Sequence, residues 1–304
     1  MQGLLESHTM ILVTGGTGFV GSRIVHALRA QDRPVRCLVR SRQRAKQLET
    51  WGCELVEGDI TDRASLVRAV GGCDTVMHLV AIIAGKPSEF ERVMTLATQD
   101  LVAAAVEADV GRFVLMSALG TSEETRELTP YFRAKWAMEQ AVTASSIEHT
   151  IFRPSFVFGR DGGVLPTFMR LVRYSPVTPV LGPGTQRLQP IWVDDVAAYF
   201  AAAIAAPEAA GRTFEIGGPD VVTWDGLYSR IAVVLGKKRA KLHLPFGLAR
   251  LNAAVLETLP GPTPLTRDQV RMLEAGDNVV TNDDAQQAFS LPLVALNDQL
   301  RRAS

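Results

Sequence analysis

Short runs of β-branched and apolar residues alternate with longer stretches of helical period through the first half of the chain. This is the pattern of parallel strands joined by crossover helices. The spacing predicts strands over 11–14, 35–39, 54–57, 75–79, 112–117 and 150–153. Several are apolar throughout, as a sheet covered by helices on both faces requires. Between them, 21–30, 42–51, 65–70, 90–108 and 130–145 predict helices, the last with Thr129 as N-cap and Pro130 at the first helical position. Five such crossovers give an α/β, doubly wound parallel sheet.

After Pro154 the pattern changes. Prolines and glycines cluster at Pro176, Pro179, Gly182, Pro183 and Gly184, and again at Pro260, Gly261, Pro262 and Pro264, all of which predict loops. The intervening segments 223–235, 246–259 and 267–274 predict helices of a smaller, mostly helical lobe.

A chain of 304 residues has room for one large core or for two lobes. Its formal net charge of +0 gives no field to draw in nucleic acid, so no nucleic-acid partner is expected. Cys37, Cys53 and Cys73 are odd in number and form no CxxC pair, which suits a reducing cytoplasm. His78, His149 and His243 have no metal-ligand spacing, so no metal is expected. The first residues, Met1 to Glu6, lack the basic flank and apolar core of a signal peptide. The most apolar later stretch, 193–206, carries Asp194 and Asp195 and falls short of the ~20 apolar residues a bilayer needs. No membrane-spanning segment is expected, while a flat apolar surface resting on a membrane stays open.

The chemistry begins at Gly15-Gly16-Thr17-Gly18-Phe19-Val20-Gly21, set between the strand at 11–14 and the helix that follows. Strand, glycine turn and helix start in that order make a dinucleotide site. One glycine takes positive φ, another lets backbone N–H groups approach a pyrophosphate, and Gly21 lets helix and strand pack closely. The helix dipole then faces the phosphates. The turn predicts a Rossmann-type domain over 10–160 with parts of 186–218, and a second lobe over 161–185 and 219–304. Its Gly-x-x-Gly-x-x-Gly spacing resembles the short-chain dehydrogenase/reductase superfamily, particularly the extended and atypical branches.

Enzymes selecting NAD place an acid at the end of the second strand. Here Arg40-Ser41-Arg42 stands there, and a guanidinium can grip a 2′-phosphate bidentately, so NADP(H) is the expected cofactor and NAD(H) the alternative. The plain alternative is that Arg40 and Arg42 are solvated residues at a helix start. By resemblance, Asp59 and Ile60 form the adenine edge, and Leu79, Val80 and Ala81 the wall beside the ribose. A surface N-cap is an equal reading of Asp59.

Tyr131-Phe132-Arg133-Ala134-Lys135 is a Tyr-x-x-x-Lys segment on one predicted helix face. In the superfamily the lysine holds the nicotinamide ribose and the tyrosine exchanges a proton with substrate. For base chemistry near neutrality the phenol needs its pKa lowered by ~3 units, about what one ammonium ~4 Å away supplies; a reductase works with the tyrosine protonated. An exposed helix face is the ordinary alternative. Ser117 resembles the substrate-orienting serine, or makes a strand-end hydrogen bond. Two departures stand out: Met94 occupies the place of a relay asparagine, and the loop between Ser117 and Tyr131 is short.

The segment from Phe152 to Arg160, with Pro154, Ser155 and Phe156, resembles the stretch beside the nicotinamide in atypical members. With the segments at 189–197 and 265–270, it resembles the branch of the nucleotide-binding accessory subunit of respiratory complex I and its free-standing bacterial relatives. The resemblance implies tight NADPH binding. Two functions follow. One is an oxidoreductase, or an epimerase/dehydratase-type enzyme, acting on an unidentified carbonyl or quinone-like molecule through Tyr131, Lys135 and Ser117. The other is a non-catalytic NADPH-binding structural or redox-sensing module whose outer lobe contacts a partner protein or an apolar quinone-like molecule, with peripheral association to a membrane or protein complex left open. Asp194 and Asp195 are expected to interact with a helix dipole. Loops near 84–89 and 159–166 are expected to shape the substrate pocket, where Lys86 and Arg160 meet an anionic substrate or are solvated charges. The sequence leaves substrate identity and oligomeric state open.

Overall fold

The computed structural model describes residues 9–257 and 265–304. The amino-terminal residues 1–8 and the proline cluster at 260–264 lie outside these, as do the last two residues of the helix predicted over 246–259.

In chain order the first half comprises β1 (Ile11–Thr14), α1 (Phe19–Arg29), β2 (Val35–Val39), α2 (Lys46–Thr50), β3 (Glu54–Glu57), α3 (Arg63–Val70), β4 (Thr75–His78), α4 (Pro87–Phe90), α5 (Ala97–Glu107), β5 (Arg112–Met116), α6 (Pro130–Thr143) and β6 (Glu148–Pro154). Then follow β7 (Val157–Phe158), α7 (Leu165–Tyr174), β8 (Val177–Leu181), β9 (Arg187–Leu188), β10 (Ile191–Trp192), α8 (Val193–Ala203), β11 (Arg212–Ile216), β12 (Val222–Thr223), α9 (Trp224–Val234), β13 (Ala240–Leu244), α10 (Phe246–Leu256), α11 (Arg267–Glu274), α12 (Asp284–Phe289) and α13 (Leu296–Ala303).

Seven strands form one sheet in the order β11-β6-β5-β4-β1-β2-β3, and the five pairings from β6 to β3 are parallel. β1 and β4 are buried along their whole length, which explains their mostly apolar sequences. The doubly wound α/β architecture is therefore as expected. The single helix expected over 90–108 is instead α4, a π-helical turn over Glu91–Leu96, and α5. Such a turn locally widens the helix and frequently occurs near functional sites.

The chain divides into two compact units. The first holds Met1–Ser117, Ala134–Phe152 and Val196–Phe214; the second holds Ala118–Arg133, Arg153–Asp195 and Glu215–Ser304. In this division 118–133 and 153–160 group with the second unit, and 196–214 is the part of 186–218 that groups with the first. In the first, Phe152 stacks on Phe214 and packs against Phe200, with centroids 5.9 and 4.9 Å away.

The second unit carries α7, α9 to α13 and three two-stranded sheets, β10-β7, β12-β9 and β13-β8. β8 runs through the proline and glycine cluster read as loop. Its Pro179 is tolerated because the strand has a single neighbour, β13, and need not donate on both sides. Thr223 caps α9 by accepting from Gly226 N, and Thr266 and Gln269 form a capping box at α11. No helix among the described residues is long and apolar enough to cross a membrane.

Candidate active site and dinucleotide cradle

β1 lies inside the sheet between β4 and β2, and from it the chain runs outward through β2 and β3 and then returns to build β4, β5 and β6 on the other side. Beyond the carboxyl ends of such strands a crevice opens. Gly15 leaves β1 with φ +81°, a conformation that suits glycine, and Gly18 N donates to Gly15 O at 2.9 Å. Gly18 is the N-cap of α1, so the N–H groups of Phe19, Val20 and Gly21 have no partner within the helix, and no acid occupies its first turn. Exposed Thr17 tips the turn.

The cradle leaves no room for side chains. A Cβ on Gly21 would stand 2.1 Å from Gly15 O, and one on Gly15 would stand 3.2 Å from the Leu79 carbonyl carbon and from Val80 N. The turn therefore rests against the chain leaving β4, which brings Leu79 and Val80, followed by Ala81, beside the phosphate position. A dinucleotide fits this arrangement.

On the adenosine side, Arg40 is exposed at the end of β2 and Ser41 leads into a short 3-10 turn. The Arg42 guanidinium donates to Leu55 O at 2.7 Å and so braces β3. Asp59 is not a helix cap; that task falls to Asp62 at α3. Asp59 accepts from Thr61 N at 2.9 Å and Thr61 Oγ1 at 2.7 Å, and these bonds, with Arg40 and Arg92 nearby, hold its carboxyl below the usual range. Ile60 beside it is buried.

In the first unit Lys135 and Ser117 are both buried. Ser117 N donates to Phe152 O at 2.7 Å, and Lys135 Nζ donates to Met116 O at 2.6 Å. Burial pulls the Lys135 ammonium down to about 8, against the opposing pull of buried Glu139 one turn on.

His78 ends β4 fully buried, at a position that no sequence motif marks. Its Nδ1 lies 2.6 Å from Thr14 Oγ1 and its Nε2 lies 2.9 Å from Thr98 Oγ1, while Thr98 Oγ1 donates to Met94 O at 2.5 Å. Thr98 has spent its proton, so it accepts from His78 Nε2–H, and Nδ1 accepts from Thr14. Burial first, and Lys135 second, push this imidazole down to about 3, which keeps it neutral.

The second unit holds Tyr131, one turn before Lys135 on α6, and the segment Pro154 to Phe156. Thr129 Oγ1 accepts from Phe132 N at 3.3 Å, as expected for the N-cap. Burial pushes the Tyr131 phenol up to about 12. Base chemistry near neutrality would need the opposite shift, whereas a reductase works with the phenol protonated. Ser155 Oγ donates to Asn278 Oδ1 at 2.7 Å and Phe156 N to the same oxygen at 3.3 Å. Asn278, distant in sequence and without a motif, sets the shape of this segment.

Among the described residues no three His, Cys, Asp or Glu side chains cluster as a metal ion would need. The family model described as NAD dependent epimerase/dehydratase matches residues 11–217. The chain belongs to that family. Within this epimerase/dehydratase family, a ceramide reductase of Caulobacter vibrioides is 32% identical over 79% of this chain and 75% of its own. Subunit 9 of the NADH dehydrogenase 1 alpha subcomplex of Arabidopsis thaliana is 28% identical over 93% of this chain and 73% of its own. An NADPH-dependent quinone oxidoreductase of Escherichia coli, solved with NADPH, shares the fold: TM-score 0.77, 19% identity, 96% of this chain and 98% of that one covered. The chain is thus of the NAD(P)-dependent oxidoreductase type of the short-chain dehydrogenase/reductase superfamily, with the complex I subunit among its relatives.

Proposed function

We propose that the chain is an NADP(H)-dependent reductase of a ketone carried on an apolar, lipid-like molecule. The observation that carries this reading is Tyr131 placed one helical turn before buried Lys135 on α6, with burial moving the phenol further from ionisation. When bound, a reduced dinucleotide would supply the hydride for the carbonyl carbon, its own oxidation balancing the reduction. Tyr131 Oη gives its proton to the carbonyl oxygen, so that the ketone becomes a secondary alcohol, and the tyrosine is reprotonated from solvent. Ser117 orients that oxygen, Lys135 holds the ribose, and Phe19 to Gly21 present their N–H groups to the pyrophosphate.

The lipid-like substrate is supported by the ceramide reductase relative. The preference for NADP(H) is supported by Arg40 at the end of β2, with Asp59 bound to Thr61. Steady-state reduction of long-chain ketones with NADPH and NADH tests both. NADPH should be preferred at least about tenfold, ~1.4 kcal/mol, and Arg40→Asp should remove the preference. An unchanged ratio in that variant would assign Arg40 to solvent. The three buried, unpaired cysteines suit a cytoplasmic setting.

Met94, buried within the π-helical turn, and the likeness to the mitochondrial subunit favour a second reading, an NADPH-binding structural or redox-sensing module. Thermal stabilisation that grows as RT ln(1 + [L]/Kd), without turnover of any ketone or quinone, would select it.

A further inference from the structure

We infer that the stretch from Lys237 to Leu256 in the second unit is a docking surface for an anionic lipid bilayer. The sense in which α10 packs is the first observation. It buries its small side chains, Ala249 and Ala253 at 2% and 0% exposure, against Val270, Leu181, Phe246 and Leu265. Its large ones face out: Leu248, Leu251 and Val255 are 46%, 62% and 57% exposed. These three recur at i, i+3 and i+7, so they form one stripe along the helix. On the strand feeding α10, Leu242 is also 53% exposed. A soluble monomer seldom leaves contiguous leucines in water without a use for them.

The second observation is charge. From Gly226 to Leu256 the chain has no Asp or Glu and carries Arg230, Lys237, Lys238, Arg239, Lys241 and Arg250, six cations in a molecule of net charge +0. Arg230, Lys241 and Arg250 have carboxylate partners in Asp220, Asp225 and Glu274. Lys237 and Lys238 are exposed, and neither takes part in an ion pair among the described residues. Arg239 donates to Val172 O and Arg173 O, which ties the basic run to the end of α7 and to Tyr174, itself 76% exposed.

A basic run followed directly in the chain by an apolar helical stripe is the pair of signals that holds a protein on an anionic membrane, since neither alone suffices. A tyrosine at the rim suits the same interface. A second copy is a poorer occupant: an isologous dimer through this face would set like-charged clusters against each other. Aliphatic side chains also offer nucleic-acid bases nothing to stack on. The surface stands whether or not the chain turns over a ketone.

Co-sedimentation of the full chain with vesicles tests the proposal, comparing phosphatidylcholine alone with phosphatidylcholine containing about 30 mol% phosphatidylglycerol. Binding is expected to the anionic vesicles only and to weaken at high salt. Lys237→Gln and Lys238→Gln should each weaken it about fivefold. Leu251→Glu, at a position exposed enough to leave the fold intact, should weaken it by at least about tenfold, with thermal unfolding unchanged. Equal sedimentation with both vesicle types, or none with either, overturns the proposal. So does binding that Leu251→Glu leaves intact, or a dimer that Leu251→Glu dissociates in a protein that ignores vesicles.

Discussion

Lys135 and Tyr131 share one helix face, yet burial acts on them in opposite senses, because it disfavours the charge on each: the ammonium is drawn down to about 8 and the phenol pushed up to about 12. Both are thereby more nearly neutral than in water. A protonated phenol is the form a reductase needs, so kcat/KM for ketone reduction should show no loss from tyrosine ionisation below about pH 10. Tyr131→Phe should lower kcat by about 10²–10⁴-fold with little change in NADPH affinity. If that variant keeps full activity, the proton comes from elsewhere. His78 carries a second prediction at this scale. Its folded pKa of about 3 lies below the ordinary 6.5, so the unfolded chain binds the extra proton between these values and stability is lost as pH falls through that window. Denaturation of His78→Gln should lack that component of acid sensitivity, while His78→Ala should cost about 1–3 kcal/mol at neutral pH by orphaning the Thr14 hydroxyl, Thr98 keeping its bond to Met94 O. An identical pH profile in His78→Gln would show that the imidazole titrates alike in both states.

The glycine turn between β1 and α1 was fully legible in the sequence because its constraint is local: tight backbone geometry admits few residue types. The geometry ranks its members. Gly21→Ala places a methyl 2.1 Å from Gly15 O and must displace the turn or the helix. Gly16→Ala meets Cys37 Sγ at 3.1 Å and Val25 Cγ2 at 3.3 Å, side-chain atoms that can give way. Isothermal titration with NADPH should find binding abolished in Gly21→Ala and weakened at most about tenfold in Gly16→Ala; equal losses would mean that the whole turn moves as one rigid piece. The π-helical turn over Glu91–Leu96 and the clamp from Asn278 to Ser155 could not be read in this way. The first differs from an α-helix by one hydrogen-bond register that side-chain period hardly records. The second joins residues more than a hundred positions apart, with no spacing rule between them.

For the whole molecule, the apolar strands announced the parallel sheet, because burial on both faces leaves a composition that solvent-facing strands lack. The second unit announced less. β8 and β13 are short and flanked by proline and glycine, and what makes them strands is each other, paired across about sixty residues of chain. The carboxyl-terminal segment is tied down in the same non-local way. Asp195, expected only to oppose a helix dipole, is buried and accepts from Val294 N at 2.9 Å. Burial pushes its carboxyl up to about 6, against the Val294 amide and Arg302, which favour the charge. Between its ordinary 3.8 and about 6 the folded chain holds a proton that the unfolded chain has released, so this group's contribution is complete below 3.8 and is lost as pH rises through 6. Asp195→Asn keeps an oxygen for the Val294 amide and removes the ionisation. The Tm of the Asn variant should therefore rise relative to that of the native chain as pH climbs from 4 to 6, then keep a constant lead, as differential scanning calorimetry across that range would show. A lead that does not change with pH would mean that Asp195 titrates in the folded chain as it does in the unfolded one, and that the carboxyl terminus is held by packing alone.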